Sequence, residues 1–157
     1  MNTEITILVW KEALEQGYLG VDAGVRWADK IIAETEKPDI WIIEMSVAKS
    51  SEQMLDALSL FPICSVSIEL ELGFLCMQWL EGKLDFREFL IIAGNIAHIT
   101  SLDYCDDETM WELSRAYDYA VKAGKPIDEF LTKAKAMFSQ PYQTVKDYLI
   151  ELSTKAG

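Results

Sequence analysis

Apolar side chains recur along this chain at helical spacing, in blocks broken by glycine, proline and acidic residues. Ile7, Leu8, Trp10 and Leu14 lie within Thr3 to Gln16, and Gly17 supplies a stop. A second helix begins near Asp22. Val25, Ala28, Ile31 and Ile32 recur at i, i+3, i+6 and i+7, with Trp27 beside them. It ends before Pro38, because the residue preceding a proline avoids helical dihedrals. Asp39 is placed to cap a short apolar segment of Ile40, Ile42, Ile43 and Met45, which reads as helix or strand. Ser50 and Gln53 have capping-box spacing. Met54, Leu55, Leu58 and Leu60 follow, closed by Pro62.

Ser65 to Leu72 carries two periods at once. Val66, Ile68, Leu70 and Leu72 alternate with Ser65, Ser67, Glu69 and Glu71, which is a strand pattern. Gly73 to Leu80 then continues without a turn signal, and Leu and Glu favour helix. The reading is one long central helix ending at Gly82. Asp85 caps the next helix, which runs to about Ser101 and buries Phe86, Phe89, Leu90, Ala93, Ile96 and Ala97. Asp106, Asp107 and Glu108 crowd the start of another, where negative charge suits the helix dipole. Its stripe is Met110, Leu113, Ala116, Tyr117, Ala120 and Val121, stopped by Gly124. Pro126 opens a helix with Ile127, Phe130, Leu131, Ala134 and Phe138, and Pro141 opens the last, with Val145, Tyr148, Leu149 and Leu152. The pattern predicts an all-α fold: a single-domain bundle, or stacked hairpins, of eight to nine helices over residues 1–157. The alternative is α+β, with a short strand in 65–72. Ala123 to Pro126 is the one sub-boundary, and it does not divide the domain. No repeat of fixed period is present.

Composition narrows the class. The chain has 157 residues, half of them apolar, enough for a sizeable core without staples. No uncharged apolar run reaches the roughly 18 residues of a membrane span. The N-terminus has no basic start and does not read as a secretory signal, which places the protein in the cytoplasm. Cys64, Cys76 and Cys105 form neither a disulfide framework nor a zinc pattern. The net charge is −12. Residues 1–108 hold 20 acids and 7 bases, whereas 109–157 hold 6 acids and 7 bases. Phosphates and anionic membranes both need a basic footprint, so direct nucleic-acid binding and membrane binding are disfavoured. An acidic face suits a basic protein partner. The oligomeric state stays open, a homodimer included.

Candidate chemistry is sparse. His98 is the one histidine, three residues after Asn95 on an apolar helix. Zinc and di-iron patterns that need two histidines are thereby excluded. No phosphate loop, dinucleotide fingerprint or nucleophile elbow is present, and no cofactor, metal or catalytic site is expected. Glu69 and Glu71 point about 200° apart on a helix and make no acid/base pair. Asp103, Asp106, Asp107 and Glu108 form the densest acidic patch, but they lack the spacing and the glycine of a calcium loop. They read as a helix cap, or as a surface receiving a basic partner. The tryptophans are core by spacing. Trp41, in its short segment, is the one expected to reach the surface as an interface anchor.

One stretch carries a resemblance. Trp27-Ala28-Asp29-Lys30-Ile31-Ile32, followed by Lys37-Pro38-Asp39-Ile40-Trp41-Ile42-Ile43-Glu44-Met45-Ser46, resembles uncharacterised small helical bacterial proteins of the toxin-immunity type, which neutralise a toxin by binding it. The resemblance implies a protein partner and no catalytic residues. The leading expectation is a non-enzymatic acidic binding protein, an immunity-type inhibitor, using Asp103, Asp106, Asp107, Glu108 and Trp41. The alternatives are a helical scaffold, and a small-ligand-binding protein or enzyme using His98.

Overall fold

A computed structural model of the protein describes residues 2–63, 67–100 and 106–157. The fold is all-α. Among the described residues there are nine helices and no strand. Of the strand alternative in 65–72, residues 68–72 are helical and residues 65 and 66 lie outside the described residues. No helix among the described residues is long and apolar enough to cross a membrane. The chain groups into two compact units: Met1–Ser67 with Val145–Gly157, and Ile68–Thr144. The turn at Ala123 to Pro126 lies inside the second unit.

The first unit contains α1 (Thr3–Glu15), α2 (Val21–Glu34), α3 (Ile40–Val47) and α4 (Ser51–Ser59). α2 packs on α3, α3 on α4, and α4 on α1. Three tryptophans link the first three helices. Trp10 meets Trp27 edge-on at 5.9 Å, Trp27 stacks on Trp41 at 5.9 Å, and Trp41 meets Phe61 at 6.4 Å. The three indole N–H groups find no acceptor among the described residues, so ring area alone holds them inside. Gly24 marks a close approach. A Cβ there would lie 2.7 Å from Met54 Cε and 3.6 Å from Met45 Cε. The capping box at α4 is displaced: Ser50 Oγ accepts from the Gln53 N–H, but Gln53 Oε1 accepts from the N–H of Lys49 rather than of Ser50.

The second unit holds α5 (Ile68–Leu80), α6 (Phe86–Ile99), α7 (Asp107–Lys122), α8 (Asp128–Met137) and the start of α9 (Ser139–Ala156), whose remainder belongs to the first unit. α5 is buried on nearly every side, as its composition demands. Its Cys76 lies in the core, where burial pushes the thiol up to about 11. Phe89 is the hub, stacked on Trp79 at 4.7 Å and edge-on to Phe138 at 5.1 Å. Phe86 meets Tyr117 at 5.0 Å and ties α6 to α7. The α6 cap is a complete capping box: Asp85 accepts from the Glu88 N–H, and Glu88 accepts from the Asp85 N–H.

Helices α1, α5 and α7 end the same way. Gly17, Gly82 and Gly124 take φ of +73°, +73° and +63°, a region open to glycine. In each case the following N–H bonds back five residues, as in Tyr18 N–H to Ala13 O at 2.8 Å. Pro141 sits in the first turn of α9 rather than at its start, where its missing N–H costs nothing. In α7, Ala116 and Val121 lie outside the buried stripe and are exposed. Phe89→Ala is expected to lower stability by about 3–5 kcal/mol. Gly24→Leu is expected to cost about 1–3 kcal/mol through overpacking against the two methionines. Urea denaturation of the full chain checks both, and a loss below about 1 kcal/mol at Phe89 contradicts the hub assignment.

Candidate partner-binding surface

The pairing of α6 with α7 builds the site. Beside the buried seam, residues at i, i+3, i+4 and i+7 of each helix come together: Ile91, Gly94, Asn95 and His98 on α6, and Asp107, Trp111 and Ser114 on α7, with the buried Met110 beneath them. With Leu90 these residues line a groove of about 270 Å³. Two side-chain contacts, a hydrogen bond and an ion pair, cross the seam at antiparallel positions. His98 Nδ1 lies 3.0 Å from Asp107 Oδ2, and Arg87 Nε lies 3.2 Å from Asp118 Oδ1. Arg87 and His98 stand about 16 Å apart along α6. All four side chains are substantially solvated, so each pair contributes at most about 1 kcal/mol and serves mainly to align the helices.

The floor of the groove is Gly94. A Cβ there would meet its nearest neighbour, Met110 Cβ, at 4.0 Å, which is ordinary contact. A Cβ at this position needs no neighbour to move, whereas at Gly24 the end of the Met54 side chain would have to shift. A glycine inside a helix costs roughly 0.5–1 kcal/mol relative to alanine. That cost leaves the groove open.

The outer rim is aromatic and cationic. Trp111 is 57 % exposed and Tyr119 64 % exposed. Arg115 lies between them on α7, its guanidinium 4.3 Å from the Trp111 ring centre. Lys125 Nζ lies 5.0 Å from the Tyr119 ring centre. Across the seam, Ile91 is exposed on α6. The N-terminal turn of α7 is acidic. Asp106 caps it, accepting from the Thr109 N–H at 2.6 Å, and that bond holds the Asp106 carboxyl below its ordinary 3.8, with the Thr109 hydroxyl adding to it.

The expected site residues divide. Asp106, Asp107 and Glu108 come together at the start of α7, exposed, and Asp107 reaches into the groove. Asp103 lies outside the described residues, as do Cys64 and Cys105. Trp41 is corrected. It is 3 % exposed and stacked on Trp27, because α3 turns Trp41, Ile42 and Met45 inward against α2. The exposed tryptophan is Trp111, which helical spacing had assigned to the core. Its neighbour Arg115, four residues on, was the available signal. His98 is exposed. Glu69 and Glu71 form no pair, and Glu69 accepts a 3.4 Å bond from Gln140 Nε2. Among the described residues no group of three or more His, Cys, Asp and Glu is placed to hold a metal ion. No protein-family model, curated protein or solved structure matches the chain.

Gly94→Ala is expected to stabilise the fold by about 0.5–1 kcal/mol, read by urea denaturation. A destabilised variant would show that Gly94 has a packing role after all. Asp106 contributes stability that is present above its unfolded value of 3.8 and is lost as the pH falls through its lower folded value. Asp106→Ala should therefore lower the melting temperature at pH 7, with the gap to the unmodified chain closing in acid. A gap that stays constant from pH 7 to pH 3 contradicts this.

Proposed function

We propose that the chain is a non-enzymatic, acidic helical binding protein, an immunity-type inhibitor that neutralises a basic toxin through the α6–α7 groove. The opening above Gly94 carries this reading: a helix gives up stability at a point where packing does not ask for it. The residues around the opening support it. Trp, Tyr and Arg dominate measured binding energies, and Trp111, Tyr119 and Arg115 stand exposed along one helix. Ile91 offers an aliphatic contact across the seam. Asp106, Asp107, Glu108 and Glu112 give the N-terminal half of α7 a negative field, which speeds encounter with a basic surface and selects for it.

A second reading has one observation in its favour. Asn95 and Ser114 share the groove with the His98–Asp107 pair, a set of polar groups able to hold a small polar ligand. The groove is smaller and more open than most small-molecule sites, which favours the protein partner.

The test is capture from an extract of the source cells at low salt, with the whole chain immobilised. A basic protein is expected on the unmodified chain, with at least roughly tenfold less on Trp111→Ala and an unchanged melting temperature for that variant. His98→Ala is expected to retain the partner to within roughly threefold, since the exposed pair contributes little. The proposal fails where no basic protein is retained, or where Trp111→Ala retains as much as the unmodified chain. Loss of all binding on His98→Ala with the fold intact moves the assignment to the second reading.

A further inference from the structure

A second surface lies in the first unit, on residues the α6–α7 groove does not use. α3 packs on α2 and α4 and leaves outside a mainly aliphatic arc that Glu44 interrupts. Trp41, Ile42 and Met45 face the core, whereas Ile40, Ile43 and Val47 fall on the opposite arc. Ile40 is 59 % and Val47 63 % exposed, and Leu60, at the C-terminal cap of α4, is 53 % exposed. Aliphatic side chains grouped this way on a surface mark a place that another element can cover. Between α3 and α4 runs a groove of about 610 Å³. Ala48 and Ala57 make a shallow floor, Val47 and Leu60 make apolar walls, and Glu44 and Asp56 stand on opposite sides. Lys49 lies at the connection between the helices. Glu52, one turn before Asp56, adds a third carboxylate on the α4 side.

We propose that this groove docks a short amphipathic helix of a partner protein, with aliphatic anchors on one face and lysine or arginine on its flanks. The small floor residues let an anchor side chain sink between Val47 and Leu60. The length of α3, about 12 Å, spans two turns of such a segment. The flanking charges decide the occupant. Carboxylates on both walls meet cations on both flanks of the incoming helix. A second copy of this chain fits poorly: a two-fold contact along the Ile40–Ile43–Val47 arc sets Glu44 beside its own equivalent in an apolar seam. An anionic lipid surface meets three carboxylates against Lys49 and is repelled.

The experiment uses the full chain with labelled Ile, Leu and Val methyl groups. The probe is an 18-residue helical peptide with leucine at i, i+3, i+4 and i+7 and lysine elsewhere, compared with a twin carrying glutamate for lysine. The lysine peptide is expected to shift the methyl signals of Ile43, Val47 and Leu60 saturably, and the glutamate twin is not. Val47→Asp, at an exposed site, should weaken binding by roughly tenfold, and Glu44→Gln with Asp56→Asn by roughly threefold at low salt. Equal binding of the two peptides overturns the proposal. So do shifts centred on Ile91 and the α6–α7 groove, or a Val47→Asp chain that binds unchanged. Sedimentation showing a dimer that Val47→Asp dissolves also overturns it, making a second copy the occupant. Shifts at the α6–α7 groove would overturn this proposal while agreeing with partner capture through Trp111, and the other outcomes leave that capture untouched, so the two proposals fail separately.

Discussion

Phe86 of α6 meets Tyr117 of α7 edge-on, and that contact sets which faces of the two helices are left outside. Phe86 is itself held by Trp79 and Phe89, so the register is inherited from the ring cluster of the second unit. Once the rings are placed, Arg87 falls opposite Asp118 and His98 opposite Asp107. Ile91, Gly94 and Asn95 then face Met110, Trp111 and Ser114 across the seam. These side-chain contacts follow from ring packing and do not cause it, since exposed polar pairs contribute little beside buried aromatic area.

Gly24 and Gly94, two of the glycines inside helices, differ in the room around them. Gly24 stands where Met54 comes too close for any side chain to enter without movement. Gly94 stands where a methyl group would be accepted. Both read alike as residues in an apolar helical stripe, and only the neighbour's distance separates a packing requirement from a retained opening. A similar split governs charge. The balance along the chain runs from strongly acidic before residue 108 to near neutral after it. The fold redistributes this: each compact unit carries 13 acids and 7 bases. A contrast in linear charge therefore does not become an acidic unit beside a neutral one.

The tryptophans mark where one-dimensional reading stops. Trp41 sits in a short apolar segment with no polar face, so helical spacing gave it no preferred side, and an exposed position was a fair expectation. The stacking partner that buries it, Trp27, is fourteen residues away on another helix. Trp111 sits next to Met110, a true core position, yet one residue is 100° on a helix, enough to carry the ring to the surface.

The chain by itself determined most of its helices, caps and stops, the short segment from Ile40 to Met45 excepted, because these depend on bonds and steric limits reaching no more than about five residues. Asp85 with Glu88, the three left-handed glycines and the buried face from Phe86 to Ala97 are all of this kind. The placement of side chains between helices was decided only by tertiary packing. The His98–Asp107 and Arg87–Asp118 pairs, the groove above Gly94, the burial of Trp41 and the bare outer arc of α3 depend on which helix lies against which. That choice is made by the total apolar area each pairing removes from water, a sum over the whole chain that no local pattern contains.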